Sequence, residues 1–165
     1  LRVVDKICSM GILVVTSVGN NYGDNTIRYS PAISKEVLAV GATKNLTFDP
    51  KFNYDIADFS CYWVDNDGKS KPDIIAPGSN ILSLKSDIYY KPNVNAECNK
   101  KNDYSVSSGT SEASAVVTGI AAIIMQKYPQ KTSFEVKQFL ERSCTKIPCI
   151  NEKQGYGFIN IKGGQ

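Results

Sequence analysis

Residues 110–128 limit the possible folds more than any other stretch. Ala113, Ser114, Ala115, Gly119, Ala121 and Ala122 alternate there with Val116, Val117, Ile120, Ile123, Ile124 and Met125, and Pro129 follows. The run reads as one helix that the proline ends. A helix that is apolar nearly all round is expected to cross an interior rather than lie on a surface. Its amino end carries Ser107-Ser108-Gly109-Thr110-Ser111. The first turn of a helix has backbone N–H groups without partners and the positive end of the helix dipole. A serine there is placed to act as a nucleophile whose attack creates an oxyanion. The plain alternative is that Ser108, Thr110 or Ser111 only caps the helix.

Short apolar strands surround this helix in the sequence. Residues 12–18 (ILVVTSV) and 36–43 (EVLAVGAT) are β-branched, apolar runs of the kind buried on both faces of a parallel sheet. The first delivers Gly19-Asn20 to its carboxyl end, where α/β sheets bind ligands. The amide of Asn20 would be a hydrogen-bond donor there, although an asparagine after a strand is also an ordinary turn residue. Residues 72–78 (PDIIAPG) form a third buried strand bracketed by prolines, and residues 58–63 (DFSCYW) are a further candidate. NILSLK at 80–85 pairs as a hairpin with DYSVSS at 103–108, across a polar excursion. A second helix spans 133–143 with Ser133 as its N-cap and Phe134, Val136, Phe139 and Leu140 on its apolar face. Residues 157–161 form a last apolar stretch. Residues 1–10 read as the second half of an amphipathic helix, with Val3, Val4, Ile7 and Cys8 on one side, so the chain is expected to be a C-terminal piece of something longer. The whole is an α/β layered domain with a mostly parallel sheet.

Composition then narrows the function. The chain has 165 residues, 42% of them hydrophobic, and a net charge of +3 with its lysines and arginines scattered. That fits a globular domain and gives no clustered basic face for nucleic acid. No apolar run is long enough for a membrane span. The sequence contains no histidine. Any hydrolytic mechanism must therefore take its general base from elsewhere, and a histidine metal site is excluded.

In order and spacing, Ile12–Asn20 (ILVVTSVGN), Ser30-Pro31, Glu36–Ala42 (EVLAVGA), Phe59-Ser60, Lys71–Gly78 (KPDIIAPG), Gly109-Thr110-Ser111 and Gly155–Asn160 (GYGFIN) resemble the subtilisin-like serine peptidases. The resemblance covers nearly the whole chain. It implies a three-layer subtilisin-like α/β fold of which only the C-terminal part is present. It implies that Ser111 is the nucleophile and that Asn20 supplies the oxyanion amide together with the Ser111 N–H. Ser17, Val18 and Gly19 would line the floor of the substrate pocket. The catalytic Asp and His would lie in a preceding N-terminal half, consistent with a chain that lacks histidine. Ser30-Pro31 matches a position where the family often has a cis peptide. The implied partners are a polypeptide substrate, the missing half of the domain and a propeptide. A structural calcium ion would belong to the full domain and no cofactor to this stretch. The implied location is secreted or extracellular. The competing reading is a catalytically silent, peptide-binding member of the family. An unrelated α/β domain would leave Asn20 and Ser111 far apart.

Three positions depart from the family pattern GTSMAxPHxxG, which reads GTSEASAVVTG here. Glu112 replaces a methionine beside the nucleophile and would oppose a developing oxyanion unless it is paired or turned away. Ala115 replaces a proline, which a helix tolerates. Val116 replaces a histidine that is not the catalytic one. Among the cysteines, Cys144 and Cys149 have the spacing for a bridge, Cys61 and Cys98 flank the insertions on either side of KPDIIAPG and are candidates for a second, and Cys8 would be left over; five free thiols are the alternative. Asn45-Leu46-Thr47 is a glycosylation sequon, and Asp65-Asn66-Asp67-Gly68 reads as a turn rather than a calcium loop.

Overall fold

The computed structural model describes residues 1–21, 27–44, 55–65, 67–85 and 104–161. The sequon at 45–47, Cys98 and the polar excursion after residue 85 lie outside the described residues. A five-stranded sheet forms the centre. Its strands β1 (Val15–Ser17), β2 (Leu38–Thr43) and β5 (Ile74–Pro77) run parallel side by side, with Val15 opposite Leu38 and Val40 opposite Ile74. β9 (Phe158–Ile159) continues the parallel set beside β5, and β8 (Cys144–Thr145) closes that edge antiparallel. β3 (Trp63–Val64) and β4 (Ser70–Lys71) form one small hairpin. β6 (Ile81–Leu84) and β7 (Tyr104–Ser107) form the other, with the pairing expected from the sequence.

Every residue of β2 is buried, as a strand covered on both faces requires. Leu38, Val40, Ala42, Ile74, Ala76 and Ile159 point to one face. They meet Ala113, Val117, Ala121 and Ile124 of the long helix α2 (Thr110–Lys127) and Val136 and Leu140 of α3 (Ser133–Arg142). Small residues on α2 let its axis lie close against the strands. The other face carries Val18, Ala39, Ala32, Cys61 and Trp63, beside a third group of Ile75, Ile147 and Phe158. α1 (Arg2–Ser9) precedes the sheet, with Val4, Ile7 and Cys8 half-buried and Val3 exposed. The peptide bonds before Pro31 and Pro72 are cis.

The structure corrects three expectations. α2 is not buried all round: Ala115, Gly119, Ala122 and Ile123 are exposed, because the sheet covers one side only among the described residues. The N-cap of α3 is Thr132 rather than Ser133. Thr132 Oγ1 accepts the Glu135 N–H, and the Glu135 carboxylate accepts the Thr132 N–H, a reciprocal pair that satisfies two donors at once. Those bonds hold the Glu135 carboxyl below its ordinary range. Finally, Cys144 and Cys149 are free thiols. Cys144 packs with the core under α2 and α3, and Cys149 packs with Ile75 and Phe158, which face the other way on their strands. Burial pushes the Cys144 thiol up to about 12, so it behaves as a small apolar side chain.

Candidate active site

The carboxyl ends of β1 and β5 and the amino end of α2 converge at one place. β1 runs into Gly19-Asn20, and this turn is pinned against residues 59–61 by Asn21 N–H to Phe59 O (2.9 Å) and Cys61 N–H to Gly19 O (3.0 Å). Gly19 has φ +109°, and a Cβ there would collide with the ring of Tyr29, so only glycine fits. From β5 the chain reaches Gly78, whose carbonyl accepts the Gly109 N–H at 2.8 Å, and Asn80 N–H donates to Ser108 Oγ at 2.8 Å. The start of α2 is thus fastened to the end of β5.

Asn20 and α2 are joined directly. Asn20 Oδ1 accepts both the backbone N–H of Thr110 (2.9 Å) and the Thr110 hydroxyl (2.8 Å). Thr110 Oγ1 in turn accepts the Gly19 N–H at 3.2 Å. With its oxygen held in this way, the amide presents Nδ2 on the other side. A Cβ built on Gly109 would lie 3.1 Å from Asn20 Nδ2 and 3.7 Å from Ser111 N, so two N–H donors border one volume beside Gly109. Ser111 is exposed, and its hydroxyl has no hydrogen-bond partner among the described residues. Its N–H belongs to the first turn of an eighteen-residue helix, where the dipole favours negative charge.

A third group reaches the same place. Glu112 Oε2 lies 2.6 Å from the Cβ that Gly109 lacks, and its other oxygen accepts the Ser107 hydroxyl at 2.5 Å. A side chain at position 109 would displace the Glu112 carboxylate and press against the Asn20 amide, whereas the backbone there, with φ 170°, is open to all residues.

Sequence reasoning named Asn20 and Ser111, and the fold brings them together. Of the three expected pocket residues, Ser17 is half-buried on the edge strand and Gly19 abuts Tyr29. Val18 is fully buried with its side chain in the core. Its N–H is taken by Val40 O, so among the described residues Val18 presents no exposed surface to a pocket. The role of Thr110 escaped the sequence reading. It is buried between two motifs, and its signal was its place between the glycine and the serine. Among the described residues no group of three His, Cys, Asp or Glu side chains converges to hold a metal ion, and no helix is long and apolar enough to cross a membrane.

The chain is similar in sequence and shape to proteins named as serine proteases and subtilisins. The family model for peptidase S8, the subtilase family, matches residues 3–157. Serine protease AprX of Bacillus subtilis (strain 168) is 36% identical over 88% of this chain and 33% of its own length. Subtilisin DY of Bacillus licheniformis is 30% identical over 98% of this chain and 49% of its own. The crystal structure of fervidolysin from Fervidobacterium pennivorans, a keratinolytic enzyme related to subtilisin, superposes with a TM-score of 0.73 at 27% identity, over 98% of this chain and 23% of that one. The chain therefore spans a third to a half of the curated relatives it matches.

Proposed function

This chain belongs to the subtilase family, and from that premise we propose that it is the nucleophile-bearing C-terminal part of a serine endopeptidase domain acting on polypeptides. Ser111 Oγ attacks the carbonyl carbon of the scissile bond and passes its proton to a histidine. The carbonyl π electrons move to oxygen, and that oxyanion accepts hydrogen bonds from Asn20 Nδ2 and Ser111 N. Collapse of the intermediate breaks the C–N bond, the histidine protonates the departing amine, and an ester on Ser111 remains for water to hydrolyse. The observation that carries this reading is the pair of N–H donors flanking the volume at Gly109. The histidine and its orienting aspartate come from a segment outside these 165 residues, which contain no histidine. The uncovered apolar side of α2, with Ile123 59% exposed, supports a larger domain around it. Ser17 and Gly19, with Val18 buried behind them, hold the acyl side of the substrate. The proposal includes a propeptide, a structural calcium ion in the remaining part of the domain, and an extracellular site of action.

One observation favours the silent peptide-binding reading: the Glu112 carboxylate beside the same volume, which opposes negative charge there. A single experiment separates the two. In the full-length protein Ser111→Ala should abolish peptide hydrolysis and labelling by a fluorophosphonate, a loss of at least about a thousandfold. Labelling that persists in the variant would show that Ser111 is not the nucleophile; no labelling of the wild type would favour the silent module. The 165-residue piece alone should show no triad activity.

A further inference from the structure

At the amino end of β5, the end of the sheet away from Ser111, a cleft of about 500 Å³ opens between α3 and the β3–β4 hairpin. Phe134, Lys137, Gln138 and Glu141 form its α3 wall, at the spacing i, i+3, i+4, i+7 that keeps side chains on one helix face. Asp65, Lys69 and Lys71 come from the hairpin and its turn, and Tyr156 closes one side. Among the described residues that line the cleft, none belongs to α2 or to the edge strand β1.

The lysines here are mostly committed, and two of the carboxylates are not. Lys35 is paired with Asp67, and Lys71 Nζ lies 2.7 Å from Asp73 Oδ2. Lys137 and Glu141 stand four apart on α3, where opposite charges ordinarily pair. Lys137 Nζ instead donates to Lys35 O (2.8 Å) and Glu36 O (3.4 Å). Lys69 is exposed to water, which screens its charge. Among the described residues no hydrogen bond or ion pair reaches the side-chain oxygens of Glu141 or Asp65, and Asp65 Oδ1 is enclosed as well. A covered acceptor without a donor costs stability, and a donor brought by a ligand removes that cost. Burial is the main cause that raises the Glu141 carboxyl, and the Glu141 charge is the first cause that raises the Tyr156 phenol, so the ring lies in the field of that carboxylate. The rings of Phe134 and Tyr156 are 62% and 54% exposed. The cleft thus sets two exposed aromatic rings beside carboxylates that lack donors.

We propose that this cleft binds an alkylguanidinium, the side-chain chemistry of arginine, with Glu141 as its counter-ion. A guanidinium is planar and carries five donors in a fixed fork, so it meets carboxylates on two walls at once and lies flat on an aromatic ring. Its alkyl stem packs along Phe134 and Tyr156. An ammonium is a compact, strongly hydrated charge without a flat face, and fits the same walls less well. The site shares no residue with the cleft at Ser111 and does not rest on the hydrolase reading.

Calorimetric titration of the full-length protein tests this, after fluorophosphonate treatment so that the cleft at Ser111 is blocked and no peptide is cut. Butylguanidinium should bind about tenfold more tightly than butylammonium, and the neutral isostere butylurea should give no heat of binding. Glu141→Gln should weaken butylguanidinium about tenfold, and Asp65→Asn severalfold. Raising salt to 1 M should weaken it severalfold in the wild type, a readout that needs no variant. A second arm finds the source of the group. Acetyl-Gly-Arg-Gly-amide that binds about tenfold more tightly than butylguanidinium assigns the cleft to an arginine of a polypeptide, and equal binding assigns it to a small guanidinium compound. No binding, equal binding of butylguanidinium and butylurea, or binding untouched by both substitutions would overturn the assignment and leave the reading of Ser111 intact.

Discussion

The two ends of the central sheet treat polar groups in opposite ways. At the amino end, Lys71 and Asp73 flank the start of β5 with side chains 4% and 14% exposed. Asp73 Oδ2 accepts both the Lys71 ammonium and the Ala39 N–H, each at 2.7 Å. Both charges are paired, and the carboxylate also ties β5 to β2. At the carboxyl end, Asn20 has its oxygen doubly bonded to Thr110 while its nitrogen borders the volume beside Gly109, and Ser111 Oγ has no partner among the described residues. Buried polar groups that are satisfied hold a fold together. Polar groups held rigidly with one valence left over are ready for a ligand. On the proposed reading, one end serves structure and the other chemistry.

The largest effect should come from breaking the satisfied end. Asp73→Ala leaves the Lys71 ammonium buried without its carboxylate and should cost about 3–5 kcal/mol of stability, read in denaturant melts of the full-length protein. Residual folded enzyme should keep its kcat; a selective loss of kcat at unchanged stability would erase the distinction between the two ends. At the other end the signs reverse. Asn20→Ala should lower kcat by about 10²–10³, the scale that loss of one oxyanion donor has in serine proteases, with KM little changed. Thr110→Val keeps the shape but removes the hydroxyl that orients Asn20 and receives the Gly19 N–H. A fall in kcat of about tenfold is expected, with recovery in Thr110→Ser. If valine and serine behaved alike, Thr110 would be packing only.

The smallest effect concerns Glu141 on α3, near the satisfied end. Burial is the main cause that raises its carboxyl above the usual glutamate range, with Lys137 pulling the other way. The folded protein therefore holds its proton more tightly than the unfolded chain. This contribution to stability is present below the ordinary glutamate pKa and is lost as pH rises through the raised value. Glu141→Gln should raise the melting temperature by about 1–2 °C at neutral pH and by nothing at pH 3. An equal shift at both pH values would trace the effect to packing rather than charge.

Much of this was legible in the chain. The strands at 15–17, 38–43 and 74–77 stand out because parallel strands buried on both faces need unbroken apolar runs, and the GYGFIN close became β9. The hairpin of NILSLK with YSVS was readable from residue type across a long insertion. What failed has a common cause. The bridge between Cys144 and Cys149 looked feasible by spacing, but spacing does not say that the two side chains turn to opposite faces of a sheet. The all-round burial of α2 followed from its composition, and composition does not say which sides find a partner. At the site, Asn20 and Ser111 were readable as motif ends, whereas Thr110 as their link was not, because its hydroxyl serves a residue ninety positions away.

The sequence by itself determined the residue types, the order of the strands and the absence of a histidine base, since these are local or compositional properties. Only the tertiary structure decided which atoms face one another. It set Asn20 Nδ2, Ser111 N and the Glu112 carboxylate around the side chain that Gly109 does not have. Such a convergence depends on the relative placement of β1, β5 and α2, and packing across the core fixes that placement, not the sequence local to any one of them.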